Sequence, residues 1–181
     1  EACRQNRHWH NLGHSNFVIS VNMSAKQLGR KDFIRVVESC LQTTELPAHF
    51  LELELTETTI MKDVEVARQR LEKLKQLGVS IALDDFGTGY SSISYLRKLK
   101  ISRIKIDRSF IQHIPENQED IAITKAIISL AKNLGLSITA EGIETLAQQA
   151  FIDKTVVDSA QGFLIGKPVL ACEFESIFLK K

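Results

Sequence analysis

At 181 residues the chain is long enough for one well-filled hydrophobic core and short for two, so a single domain is expected over residues 1–181. A hydrophobic share of 44% beside 25% charged residues excludes a disordered or fibrous chain, and a formal net charge of +1 gives no electrostatic footprint for a nucleic acid polymer or a membrane surface. No apolar run reaches membrane-spanning length and no leader pattern opens the sequence, which favours a cytoplasmic setting.

The chain opens on Glu1 with residues that read as mid-helix, so a longer parent is expected. That helix runs to about Leu12, with Ala2, Gln5 or Trp9, and Leu12 on one side and Gly13 as its stop. His8, His10 and His14 lie close together, but His8 and His10 fall on different faces and no further ligand is near, which favours a solvated helix end over zinc. Phe17 to Ser24 is a strand with Ser20, Asn22 and Ser24 on one face. Asp32 to Thr44 is a helix whose stripe is Phe33, Val36, Val37, Cys40 and Leu41. Leu51 to Glu57 alternates strictly: in an exposed sheet Glu52 and Glu54 would face water, whereas in a helix-wrapped barrel they would face the interior.

Lys62 to Leu77 is an amphipathic helix stopped by Gly78, and the strand Val79 to Leu83 ends on Asp84 and Asp85, before Gly87 and Gly89 and a helix from Ser91 to Leu99. Adjacent aspartates repel, so they belong either to a surface turn or to a site that holds a cation. The strand Ile101 to Ile106 places Arg103, Lys105 and Asp107 on one face, and a lysine is seldom buried without partners. After a helix from Asn117 to Leu134, the strand Leu136 to Ala140 delivers Glu141. LGVSIALDD (77 to 85) and LGLSITAEG (134 to 142) then share one helix-stop-strand-carboxylate pattern, the mark of a β/α repeat. A helix Thr145 to Ile152, a strand Val156 to Ala160 before Gln161-Gly162, and a helix Cys172 to Leu179 complete the chain.

Six strands therefore end in polar residues: Asn22, Glu54, Asp84 with Asp85, Lys105, Glu141 and Gln161. In β/α barrels such residues converge at the C-terminal mouth, so six in register favour a shared site over a turn. Four carboxylates with two amides form a hard-oxygen donor set suited to Mg2+ or Mn2+, able to hold two ions for in-line attack on phosphorus. Lys105 suits charge neutralisation or water orientation, and Glu141 suits a general base. Cys3, Cys40 and Cys172 form no CxxC pattern, and GTG at 87 is too short for a dinucleotide fingerprint.

VNMS, ELTE, DDFGTGYSS, KIDRSFI, AEGIET and QGFLIGKP, in this order, resemble the EAL family of cyclic di-GMP phosphodiesterases over essentially the whole chain. The resemblance implies a TIM-like (β/α) barrel, incomplete here with about six of eight strands, and metal-dependent hydrolysis of cyclic di-GMP to linear pGpG. It implies that Asn22, Glu54 and Asp84 hold a first metal, that Asp84 bridges to a second which Asp85 also contacts, that Lys105 holds the attacking water and that Glu141 is the base or a water-coordinating partner. Glu57 would brace the loop after Asp85, with Asp107, Glu144 and Gln161 as further support. A homodimer through that loop and an upstream GGDEF or sensory domain are the implied partners. The Glu-Ala-Leu segment is absent, which leaves a catalytically inactive cyclic di-GMP receptor or protein-interaction module as the alternative; Lys154 to Val157 also departs from the family's usual turn, and Ile165-Gly166 replaces a more typical Phe-Ser.

Overall fold

Six short strands lie side by side in chain order in the computed structural model, which describes residues 1–89 and 96–179. They are β1 (Ile19–Asn22), β2 (Leu51–Thr56), β3 (Ser80–Phe86), β4 (Arg103–Ile106), β5 (Ser137–Glu141) and β6 (Ser159–Gln161), every neighbouring pair parallel. A parallel neighbour requires a crossover, which here passes over one face of the sheet, so the six strands curl into half of a TIM-like barrel with the helices outside. β1 and β6 are its two edges.

The barrel reading of β2 holds. Leu51, Leu53 and Leu55 are buried toward the helices, and Glu52 and Glu54 are buried as well, at 6% and 8% exposure. A half-buried sheet would have left the glutamates wet. Outside the sheet, α1 (Ala2–Asn11), α2 (Ala25–Gly29), α3 (Phe33–Thr44), α4 (Glu57–Met61) and α5 (Val64–Gln76) precede β3. After β4 come α6 (Gln118–Asn133), α7 (Leu146–Ile152) and α8 (Ala171–Phe174), the last running into a π-helical turn, Glu175–Leu179.

Local chemistry accounts for the helix ends. Asp63 accepts from Val66 N at 3.0 Å to start α5, and Asn117 accepts from Glu119 N at 2.8 Å to start α6. Both helices of the repeat stop at a glycine in the left-handed region, Gly78 at φ 90° and Gly135 at φ 69°, where a Cβ would be strained. Ala67, Leu71 and Leu74 of α5 and Ile127, Ile128 and Ala131 of α6 then seal the outer face of the sheet. Burying one such leucine or isoleucine contributes about 1.5–3 kcal/mol.

Several expectations are corrected. The expected stripe of α3 is only half covered: Val37 and Leu41 are buried, while Val36 and Cys40 are exposed and line a groove of about 570 Å³ with α1 and β1. β1 is an edge strand, so no further strand among the described residues closes this side. Leu12 is 56% exposed; the buried side of α1 carries Asn6, whose Nδ2 donates to Phe17 O and Phe50 O. β3 does not stop before the aspartates but runs through them to Phe86, and β6 begins only at Ser159. Two short helices, α2 and α4, were not anticipated, although Ser24 and Gln27 form a capping box and Thr56 caps α4. The helix expected from Ser91 lies outside the described residues up to residue 95.

Candidate active site

The C-terminal ends of β2 to β5 carry one tight group of charges. Lys105, 5% exposed, places Nζ 2.8 Å from Glu54 Oε2, 3.0 Å from Asp84 Oδ1 and 2.7 Å from Glu141 Oε1. Asp84, Asp85 and Glu141 bring carboxylate oxygens within 4.8 Å of one another. Strand alternation alone would send two adjacent aspartates to opposite faces of the sheet.

A β-bulge resolves this. Leu83 pairs with Ile104 and Phe86 with Ile106, so three steps along β3 answer two along β4. Asp85 sits at the extra position with φ 52°, a left-handed conformation that aspartate tolerates better than most side chains. Its carbonyl is held by Thr88, whose hydroxyl donates at 2.8 Å. Strain of this kind persists where the surroundings enforce it.

The electrostatics are unbalanced. Four carboxylates gather here, three of them paired with the one Lys105 ammonium and Asp85 beside two of these, a formal excess of three negative charges. Burial would lower the Lys105 pKa, but its contacts with Glu141, Glu54 and Asp84 prevail and raise it, so Lys105 stays charged. Burial pushes Asp85 above the usual carboxylate range, and the nearby charges of Asp84 and Asp107 add to it. Glu141 is raised too, chiefly by burial, against the opposing pull of Lys105. Asp84 Oδ1 is buried, and Lys105 Nζ lies 3.0 Å from it. A pocket of hard oxygens with surplus negative charge, three of its carboxylates within 4.8 Å of one another, fits a divalent cation.

The remaining candidates take defined places. Asn22 ends β1, exposed and in register with Glu54; Gln161 ends β6, exposed and in register with Glu141. Glu57 is 3% exposed, and its Oε1 accepts from Gly87 N at 3.4 Å. Gly89 lies so close to the Glu57 carboxylate that a Cβ there would collide with it, and Glu57 Oε2 has no hydrogen-bond partner among the described residues. Asp107 caps the turn after β4 by accepting from Ser109 N at 3.0 Å. Glu144 is exposed and pairs with Arg108 at 3.2 Å. Of these candidates, then, Glu54, Asp84, Asp85, Lys105 and Glu141 converge, and the other five do not join that cluster directly.

The EAL domain model matches residues 1–168. The chain belongs to the EAL domain family. It is 45% identical over 171 residues to the bifunctional diguanylate cyclase/cyclic di-GMP phosphodiesterase MucR of Pseudomonas aeruginosa, covering 94% of this chain and 25% of that protein. This EAL domain therefore spans about a quarter of the length of that relative. The solved structure of the PaMucR phosphodiesterase in complex with c-di-GMP superposes with a TM-score of 0.92 at 44% identity, covering 96% of this chain and 70% of that one. Klebsiella pneumoniae BlrP1, solved as a manganese/cy-diGMP complex, superposes with a TM-score of 0.83 at 26% identity, covering 93% and 43%.

One feature of the EAL domain's interior escaped the sequence reading. Glu52 and Arg103 lie on polar strand faces far apart in sequence, and the structure joins them at 3.0 Å. The signal was present in the alternation, since each lies two residues before a member of the site.

Proposed function

We propose that this EAL domain hydrolyses cyclic di-GMP to linear pGpG within its parent protein. The observation that carries the reading is the Lys105-centred carboxylate cluster at the C-terminal mouth of the half-barrel. The c-di-GMP complexes of the similar PaMucR and BlrP1 structures supply the substrate.

Asn22, Glu54 and Asp84 would hold a first divalent cation, and Asp84 with Asp85 a second; Mg2+ and Mn2+ fit the donors. Such ions, when bound, supply Lewis acidity toward the phosphodiester and ease deprotonation of water. Lys105 orients the attacking water through its ammonium. Glu141, whose pKa burial raises, accepts the proton as the water oxygen bonds to phosphorus. The bond from phosphorus to the ribose 3′ oxygen breaks, that oxygen takes up a proton, and the ring opens to pGpG. Glu57 braces the loop after Asp85 from below. Asp107, Glu144 and Gln161 line the approach and support substrate and loop.

The proposal extends to a homodimer meeting through the loop after Asp85, whose residues 90–95 lie outside the described part, to an upstream GGDEF or sensory unit, and to a cytoplasmic setting. Among the described residues no helix is long and apolar enough to cross a membrane.

The test is conversion of cyclic di-GMP to pGpG by the full-length protein with Mg2+ or Mn2+, followed by chromatography. Glu141→Ala is expected to lower turnover by about 10²–10⁴-fold with nucleotide binding retained. Nucleotide binding by the wild type with no turnover above that variant would sink the hydrolase reading in favour of a receptor.

A further inference from the structure

Two residues before each strand-end group, the interior of the half-barrel holds a second polar layer: Ser20, Glu52, Ala82, Arg103, Thr139 and Ser159. Ser20 Oγ donates to Glu52 Oε1 at 2.9 Å, and Arg103 Nε donates to Glu52 Oε2 at 3.0 Å. Arg103 Nη1 donates to Thr139 Oγ1 at 3.2 Å and to Ser159 Oγ at 3.1 Å, and those two hydroxyls lie 2.8 Å apart. One chain of contacts thus laces β1, β2, β4, β5 and β6.

β3 alone is bypassed. On β3 the register partner of Arg103 is Ala82, fully buried, and that of Glu52 is Ser80, so the tie crosses β3 between these two small residues. The charges of this layer balance, one carboxylate against one guanidinium, and its hydroxyls are satisfied. It therefore offers no cation site of its own.

We infer that Arg103 is a positioning residue for the carboxylate centre above it. Backbone ladders fix neighbouring strands about 4.8 Å apart, but they leave the curl of an open sheet soft. A tie that skips a strand, as Arg103 to Glu52 skips β3, sets the chord from β2 to β4, and the Thr139 and Ser159 contacts continue it to β5 and β6. The strands so fixed carry Glu54, Lys105 and Glu141 two residues further on, where Lys105 spans to both acids at 2.8 and 2.7 Å. A planar fork that bonds in two directions at once suits this task better than an ammonium.

The inference rests on the proposed function only in treating the upper layer as the working centre. The experiment uses the full-length protein and reads Mn2+ affinity, from the free-ion electron paramagnetic resonance signal, beside melting temperature and pGpG formation. Arg103→Met is expected to remain folded and to bind Mn2+ about 10–100-fold more weakly, with Arg103→Lys recovering only part of the loss. The Glu52→Leu/Arg103→Met double variant removes both charges, leaves no lone buried carboxylate, and is expected to stay weak. Wild-type Mn2+ affinity in either folded Arg103→Met variant overturns the inference, as does failure of both to fold, which would make the layer a folding element. A wild type that binds Mn2+ without forming pGpG overturns the hydrolase reading alone, and the affinities of the variants still decide the role of Arg103.

Discussion

The interior of the half-barrel contains two charged layers built on the same plan and used oppositely. In each, a glutamate on β2 faces a cation on β4: Glu54 with Lys105 above, Glu52 with Arg103 below. The upper cation meets three carboxylates and leaves surplus negative charge; the lower meets one, and hydroxyls take its remaining bonds. The difference teaches that imbalance, more than burial or charge, distinguishes a site from a scaffold. Surplus charge in a low-dielectric interior is costly unless a ligand compensates it, whereas a balanced layer is complete as it stands.

The comparison is broken most strongly by Lys105→Met. Removing the ammonium that pairs with Glu54, Asp84 and Glu141 is expected to cost about 3–5 kcal/mol in urea denaturation without divalent ions, and added Mn2+ should return part of that stability. No recovery with Mn2+ would mean that the surplus charge does not attract a cation. Next comes Ala82→Leu, which adds bulk where Arg103 passes β3. Overpacking of about 1–3 kcal/mol is expected by calorimetry, together with weaker Mn2+ binding; a fully preserved melting temperature would show that the space above Ala82 is not needed.

Acid sharpens the same contrast. The pKa values of Asp85 and Glu141 are raised, so as pH falls they take up protons before ordinary carboxylates do, and each proton displaces cation affinity. Mn2+ titrations at stepwise lower pH are expected to weaken while the far-ultraviolet circular dichroism spectrum stays native; loss of both together would tie the effect to unfolding instead. The smallest expected effect lies outside both layers. Asp158 accepts from Ile138 N at 2.7 Å and from Lys132 Nζ at 3.0 Å, and its pKa is lowered first by the Lys132 hydrogen bond. Its contribution to stability is therefore present above the carboxyl's unfolded pKa and is lost as pH falls through the lowered folded value. Asp158→Asn should reduce the melting temperature slightly at neutral pH and not in strong acid; an equal reduction at both would assign the effect to packing.

Much of this was legible from local pattern. The alternation of Leu51 to Glu57, the glycine stops at 78 and 135 and the carboxylates closing the two repeated strands all follow from residue spacing, because strand and helix periods are local properties. The short helices α2 and α4 were hidden because five residues are too few to show a 3.6-residue period, leaving only their caps as a signal. Val36 and Cys40 carried a regular apolar stripe, but whether a stripe is covered depends on what lies beside β1.

The sequence by itself determined that β/α units repeat and that oxygen-rich side chains gather at their strand ends, since both are written in periodicity and residue type. Only the tertiary structure decided that a bulge turns Asp84 and Asp85 toward one centre, that Lys105 bridges three strands, and that Arg103 reaches across β3 to Glu52. The reason is physical: these are contacts between strands distant in sequence, set by sheet curl and register. No window of neighbouring residues contains them.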